Sequence, residues 1–191
     1  MAPRLSADTR QAQLDRLADT PLDLIVIGGG ITGAGIAWEA ALRGLRVALF
    51  ERGDFASGTS SKSSKLLHGG LRYLEQAEIK LVFESLAERN RLFHDAPHVA
   101  HKLPFLFPIF AGGPTKSYVI GPGLWLYDVL SAISSLKETK WHERLSPQEA
   151  LEEAPALRRN GLRRVYRYMD GLTEDARLVI ETIKSAVAAG A

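Results

Sequence analysis

A chain of 191 residues, 46% of them hydrophobic, can bury a core and fits one domain or one and a half. Its 24 Lys+Arg against 22 Asp+Glu leave a formal net charge of +2, too small a field to gather nucleic acid by itself, so any anion site must be local. The absence of cysteine removes disulfides, thiolate metal sites and thiol nucleophiles and fits a reducing, cytoplasmic setting.

The opening, MAPRLSADTRQAQLDRLADT, has no apolar core of a signal peptide, and its three aspartates argue against a transit peptide. Residues 1–20 read as a leader helix or extension. No later run reaches the roughly 18 consecutive apolar residues of a membrane-spanning helix.

The strongest signal follows at once. PLDLIVIGGGITGAGIAWEAALRGLRVALFE reads as an apolar strand, a glycine-rich turn, an alanine-rich helix closed by Gly44 and a second apolar strand ending at Glu51. Gly28, Gly30 and Gly33 have the G-x-G-x-x-G spacing. In that motif the first glycine makes the turn out of the strand, the second lets the backbone approach a pyrophosphate, and the third lets the helix lie close on the sheet. Phosphates then sit on the helix N-terminus, where unpaired N–H groups and the helix dipole favour negative charge. Glu51 closes the pattern as an acceptor for ribose hydroxyls. A glycine-rich turn with no ligand is the alternative, but strand, helix, spacing and terminal acid agree. The pattern serves the adenosine diphosphate half shared by NAD and FAD. An NAD domain would usually continue into another helix and strand.

This chain instead enters TSSKSSKLLHGGLRYLE, residues 59–75. Composition admits a solvated linker. It also admits a folded loop for anionic groups: small residues permit close backbone approach, Ser and Thr hydroxyls donate to phosphate, and Gly69 and Gly70 loosen the backbone before the next helix. In that helix Leu71, Leu74, Ile79, Phe83, Leu86 and Phe93 fall near helical spacing, with Glu75, Lys80, Glu84 and Arg89 left to water. Arg72 and Tyr73 lie at its first turn.

From Ala96, HKLPFLFPIFAGGPTKSYVIGPGLWLYDVLSAISSL suggests a strand, a loop and a helix of a second lobe. His98 and His101 form an H-x-x-H pair without a third ligand, so no metal is expected. Asn160-Gly161 is a hairpin signal between two basic arms, and Arg158, Arg159, Arg163, Arg164 and Arg167 read as a solvated hairpin face, or alternatively as a membrane-surface patch. Thr173 is positioned to cap a last helix, with Glu174 and Asp175 in its first turn.

Together, DLIVIGGGITGAGIA, GDFASGTSSKSSKLLHGGLRYLE, ERNRLFHDAPHVAHKLPFLFPIF, GLWLYD and DGLTEDARL resemble, in order and spacing, the FAD-dependent glycerol-3-phosphate dehydrogenases of the D-amino-acid-oxidase-like flavoproteins. The resemblance implies an α/β fold: a Rossmann-like FAD-binding βαβ domain with the beginning of a second, substrate-facing lobe, in an incomplete chain, since such enzymes are more than twice as long. The expected divisions are the leader at 1–20, the FAD-binding unit, flavin loop and following helix at 21–95, the substrate-facing lobe at 96–172, and a helix at 173–191 returning to the FAD domain. The implied cofactor-binding residues are Gly28, Gly30, Thr32, Gly33, Glu51, Arg52, Thr59, Ser60, Ser63, Lys65, Leu66 and His68. Arg72 and Tyr73 would bind substrate, with Arg72 at its phosphate. The implied reaction oxidises sn-glycerol 3-phosphate to dihydroxyacetone phosphate by hydride transfer from C2 to FAD. His68 is the only local candidate for the base taking the C2 hydroxyl proton; the alternative role is to line the flavin, and the favoured reading places the base in the rest of the longer enzyme. Electrons would pass to a membrane quinone. A related oxidase using oxygen, or a noncatalytic nucleotide-binding fragment, are the competing readings. A homodimer and peripheral contact with the cytoplasmic membrane face are further expectations.

Overall fold

The apolar run Leu24–Ile27 forms β1 and pairs in parallel with β2, Val47–Phe50, with Leu24 opposite Val47 and Ile27 opposite Phe50. A parallel pair needs a crossover, and α2, Ile31–Leu42, supplies it. The computed structural model describes residues 6–113, 117–135 and 140–191; the first five leader residues and positions 114–116 of the expected loop lie outside them. Leader residues Ala7–Asp19 form α1, whose N-cap Ser6 accepts the Thr9 amide. Asp23 ties the starts of β1 and β2 together by accepting the Arg46 amide at 2.9 Å and its guanidinium at 2.7 and 3.0 Å. The Arg46 side chain holds the Asp23 carboxyl well below the usual range.

Alanines let α2 serve two contacts. Ala37, Ala40 and Ala41 pack with Val26, Val47 and Ala186, and Ala34 packs with Ala56, Val179 and Ile183. Val179, Ile183 and Ala186 belong to α6, Asp175–Ala189, so the last helix lies along α2. At the front of α2, a Cβ on Gly33 would stand 1.9 Å from the Gly28 carbonyl oxygen. Only a residue without a side chain permits that approach.

Residues 66–173 form a second unit, separate from 1–65 with 174–191. Its four-stranded antiparallel sheet is built on β6, Leu162–Thr173. Strand β4, Ala100–Phe110, runs along β6 from Ala100↔Thr173 to Phe110↔Leu162, with an irregularity at Ile109/Phe110. At the other edge β3, Leu66–Leu67, pairs at Leu172 and Gly171, and β5, Glu143–Leu145, pairs at Arg167 to Val165. Helix α3, Ile79–Asp95, sends Val82 and Leu86 into a cluster with Tyr127 of α4, Ser117–Ser134. Helix α5, Pro147–Glu153, starts with a capping box between Ser146 and Glu149 and has Pro147 in its first turn. Among the described residues no helix is long and apolar enough to cross a membrane.

Contacts group residues 66–95 with 96–173 and the last helix with residues 1–65. Several other expectations are corrected. The predicted helix is two elements, a 3₁₀ turn at Leu71–Gln76 and then α3, broken where Ala77 adopts a left-handed conformation. Arg89 does not face water: its Nη1 donates to Asp170 Oδ1 at 2.8 Å and its Nη2 to Ser131 Oγ at 2.8 Å, in the interior. Asn160-Gly161 makes a turn, with Gly161 left-handed, but no hairpin, because β6 pairs with β4, β3 and β5 instead of an arm at 154–159. The arginines there are not one solvated face. Arg167 pairs with Glu143 and Glu153, and the Arg158 guanidinium lies 4.4 Å from the Phe110 ring centroid. Thr173 does not cap α6, since it ends β6 and its hydroxyl donates to the Val99 carbonyl.

Three outcomes follow in thermal unfolding. Gly33→Ala should lower stability by about 1–3 kcal/mol through the clash with Gly28, whereas Gly35→Ala, with nothing within 4 Å, should raise it by about 0.5–1 kcal/mol. Arg89→Met should cost about 3–5 kcal/mol, because it leaves Asp170 buried and uncompensated.

Candidate functional site

Three short pieces of the first unit converge on the start of α2. Gly28 leaves β1 at φ +112°, beyond the reach of a residue with a side chain, and its amide still bonds the Phe50 carbonyl at 2.8 Å. Gly30 is the N-cap of α2 and supplies no side-chain cap. The Ile31 amide is met by Ser60 Oγ at 3.0 Å, while Thr32 and Gly33, one and two positions further on, have no intrahelical carbonyl to bond. The helix end therefore offers backbone N–H groups and a positive dipole with no acid in its first turn.

Glu51 ends β2 and braces the glycine turn. Its two oxygens accept the Gly53 amide at 2.7 Å and the Gly29 amide at 2.8 Å. These bonds, Gly53 first, hold the Glu51 carboxyl below the usual range. Each oxygen uses one acceptor position, so lone pairs remain for further donors. Gly29 and Phe55 belong to the same clamp and have no place in the glycine spacing: a Cβ on Gly29 would meet the Phe55 ring at 2.4 Å.

The Ser-rich stretch is folded rather than a linker. Thr59–Ser61 is a 3₁₀ turn, and Ser63 Oγ donates to Asp175 Oδ2 at 2.8 Å while accepting the Lys65 amide at 2.9 Å. Chiefly through the Ser63 hydroxyl, the Asp175 carboxyl is held below its ordinary range. Asp175 thus begins α6 and anchors the loop, a role its place in a helix first turn did not announce. Thr59, Arg52 and Lys65 are exposed, and Lys65 is left-handed at φ 60°.

The remaining candidates stand in the second unit. Leu66 lies in β3, with His68 exposed just after it, and Arg72 and Tyr73 are exposed in the 3₁₀ turn. Gly69 and Gly70 do not loosen the backbone here. Gly69 is buried, and its amide donates to Tyr127 Oη at 2.9 Å and Asp170 Oδ1 at 3.1 Å. Tyr127 in turn donates to Asp170 Oδ2 at 3.0 Å, and burial, with Asp170 beside it, pushes its hydroxyl far up so that it keeps its proton. The sequence did not single out Tyr127, Asp170 and Arg89 as partners of the Gly69 region, although GLWLYD, DGLTEDARL and ERNRLFHDAPHVAHKLPFLFPIF contain all three. Among the described residues no group of three His, Asp or Glu could hold a metal.

Strand, glycine turn, helix and terminal carboxylate together define a Rossmann-type dinucleotide-binding unit. The DAO family model, that of the FAD-dependent oxidoreductases, matches residues 23–191. The chain belongs to that family, whose cofactor is FAD. It is 43% identical over all 191 residues to aerobic glycerol-3-phosphate dehydrogenase of Bacillus subtilis, covering 34% of that protein. Identity to the protein of the same name from Staphylococcus epidermidis is 44% over 92% of this chain and 31% of the relative. The X-ray structure of glycerol-3-phosphate dehydrogenase from Bacillus halodurans complexed with FAD gives a TM-score of 0.69 at 36% identity, covering 98% of this chain and 29% of that one. The chain spans about a third of the length of the curated relatives it matches.

The Glu51 clamp makes the turn sensitive to acid. The Gly53 and Gly29 amides hold its folded carboxyl below the unperturbed glutamate range, so its contribution is complete above that range and is lost as pH falls through the lowered value. Denaturant titrations of the chain and of Glu51→Gln should show the variant less stable at pH 7, with the gap closing below the usual carboxylate range.

Proposed function

We propose that this chain supplies the adenosine diphosphate cradle and the first substrate-facing elements of an FAD-dependent glycerol-3-phosphate dehydrogenase. The observation that carries the reading is the identity to aerobic glycerol-3-phosphate dehydrogenases along the whole chain. The residues present fit the cofactor: the α2 amides of Thr32 and Gly33 suit a pyrophosphate, and the spare lone pairs of Glu51 suit ribose hydroxyls. When bound, FAD accepts a hydride from a carbinol carbon.

Each residue then has a task. Gly28, Gly30 and Gly33 bring backbone close to the phosphates, with Thr32 and Ser60 at the helix end. Thr59, Ser63, Lys65, Leu66 and His68 shape the loop at the flavin, and Arg52 flanks Glu51. Arg72 meets the substrate phosphate, because a planar guanidinium can address two oxygens at once and so fix direction as well as distance. Tyr73 lies beside it in the same turn. His68 is this chain's candidate for the base that takes the C2 hydroxyl proton, with a base outside these residues the alternative. We assign a membrane quinone as the electron acceptor, with dioxygen the alternative; dye reduction without oxygen consumption supports the first.

Arg72→Ala tests the substrate assignment. In a full-length protein carrying this segment it should leave bound FAD and its visible spectrum unchanged while removing most of kcat/KM for glycerol 3-phosphate, and Arg72→Lys should recover only part. Glycerol, which has no phosphate to bind, should be oxidised as feebly as before. Loss of flavin, or equal loss toward both substrates, would place Arg72 in the cofactor site or the scaffold. Glu51→Ala should weaken FAD retention, read as faster loss of the flavin's visible absorption on dialysis than from the unsubstituted protein.

A further inference from the structure

We infer that Tyr127 and Asp170 are positioning residues for Arg72, acting through the Gly69 peptide; the inference rests on reading Arg72 as the phosphate ligand. The Gly69 amide is shared between Tyr127 Oη at 2.9 Å and Asp170 Oδ1 at 3.1 Å. A Cβ on Gly69 would stand 2.2 Å from Leu86 Cδ2 and 2.5 Å from Tyr127 Oη, so this peptide lies directly against α3 and α4. Both acceptors are themselves held. Asp170 receives Arg89 Nη1 at 2.8 Å and the Tyr127 hydroxyl at 3.0 Å, and Arg89 also donates to Ser131 Oγ at 2.8 Å. Tyr127, Asp170 and Arg89 are 1%, 3% and 6% exposed, so water does not compete for these bonds. Side chains from α3, α4 and β6 therefore fix one amide at the end of β3.

Arg72 follows that amide within three positions. Gly70 turns left-handed at φ 76°, its carbonyl accepts the Tyr73 amide at 2.8 Å, and the 3₁₀ turn begins at Leu71. The direction in which Arg72 leaves the fold is set by where Gly69 is held. Stability alone does not call for such a network, since apolar side chains of similar volume often hold a core as well as a buried ion pair does. What the network adds is a fixed donor direction at Gly69, and a guanidinium that must meet two phosphate oxygens is sensitive to displacements of a fraction of an ångström.

The test is a double-mutant cycle in a full-length protein carrying this segment, with kcat/KM for glycerol 3-phosphate measured for Tyr127→Phe, Arg72→Ala and the pair. Tyr127→Phe removes one oxygen, taking an acceptor from Gly69 and a donor from Asp170. It should lower kcat/KM on the order of tenfold or more, leave oxidation of glycerol unchanged, and add nothing in the Arg72→Ala background, where the positioned group is gone. An unchanged kcat/KM, a fully additive loss, or an equal loss toward glycerol would overturn the positioning role while leaving Arg72 as the phosphate ligand. If Arg72→Ala alone has no effect, the functional reading fails and the positioning role falls with it. Should Tyr127→Phe not fold, Ser131→Ala loosens Arg89 without removing a charge and carries the same cycle, with a smaller loss expected. Amide exchange at Gly69 should also accelerate in either variant; unchanged protection would overturn the inference.

Discussion

The carbonyl of Gly28 occupies the space that a side chain at position 33 would need, and the first unit is arranged around that approach. Because α2 begins so close to the end of β1, its unbonded amides stand at the mouth of the glycine turn rather than over the sheet. The alanines that follow let the same helix lie between the strand pair and α6. Glu51 then keeps the turn in place from the end of β2 with one oxygen for each of two amides. The amides free at the start of α2 are thus placed by packing rather than by charge.

The second unit solves a different problem. The turn that carries Arg72 and Tyr73 is exposed, yet the peptide before it is tied to an interior ion pair and a tyrosine. Interior polar groups are costly unless every one has a partner, and here each does; among the described residues no buried side-chain polar atom lacks a bond. The exposed residues that would meet a ligand stand on buried ones that do not.

The strand, turn and helix at 24–50 were legible because the signals are local: period, glycine spacing and a terminal acid all fall within thirty residues of one another. That the Ser-rich stretch is folded was legible only through its resemblance to flavoproteins, since its anchor, Asp175, lies 112 positions from Ser63. Arg89 misled for the same reason. On a helix it reads as solvated, and the carboxylate that draws it inward is 81 positions away. Asn160-Gly161 has real turn chemistry, but turn chemistry cannot say which strand receives the chain afterwards, and β6 goes to β4. The Thr173 hydroxyl, a fair cap by type, was claimed by the Val99 carbonyl.

The order of synthesis sets a constraint of its own. Strand β6 carries the ladders of β3, β4 and β5, so three earlier strands wait for residues 162–173 before any of them is paired in that sheet. Helix α6 comes later still, and the alanine face of α2, formed by residue 41, has no helix to cover it until residues 175–189 have emerged. Such long-range pairings slow folding and keep apolar surface open while the chain grows. A ribosome pausing before β6 would hold out a βαβ segment and a set of unpaired strands, the state in which a chaperone would have the most to bind.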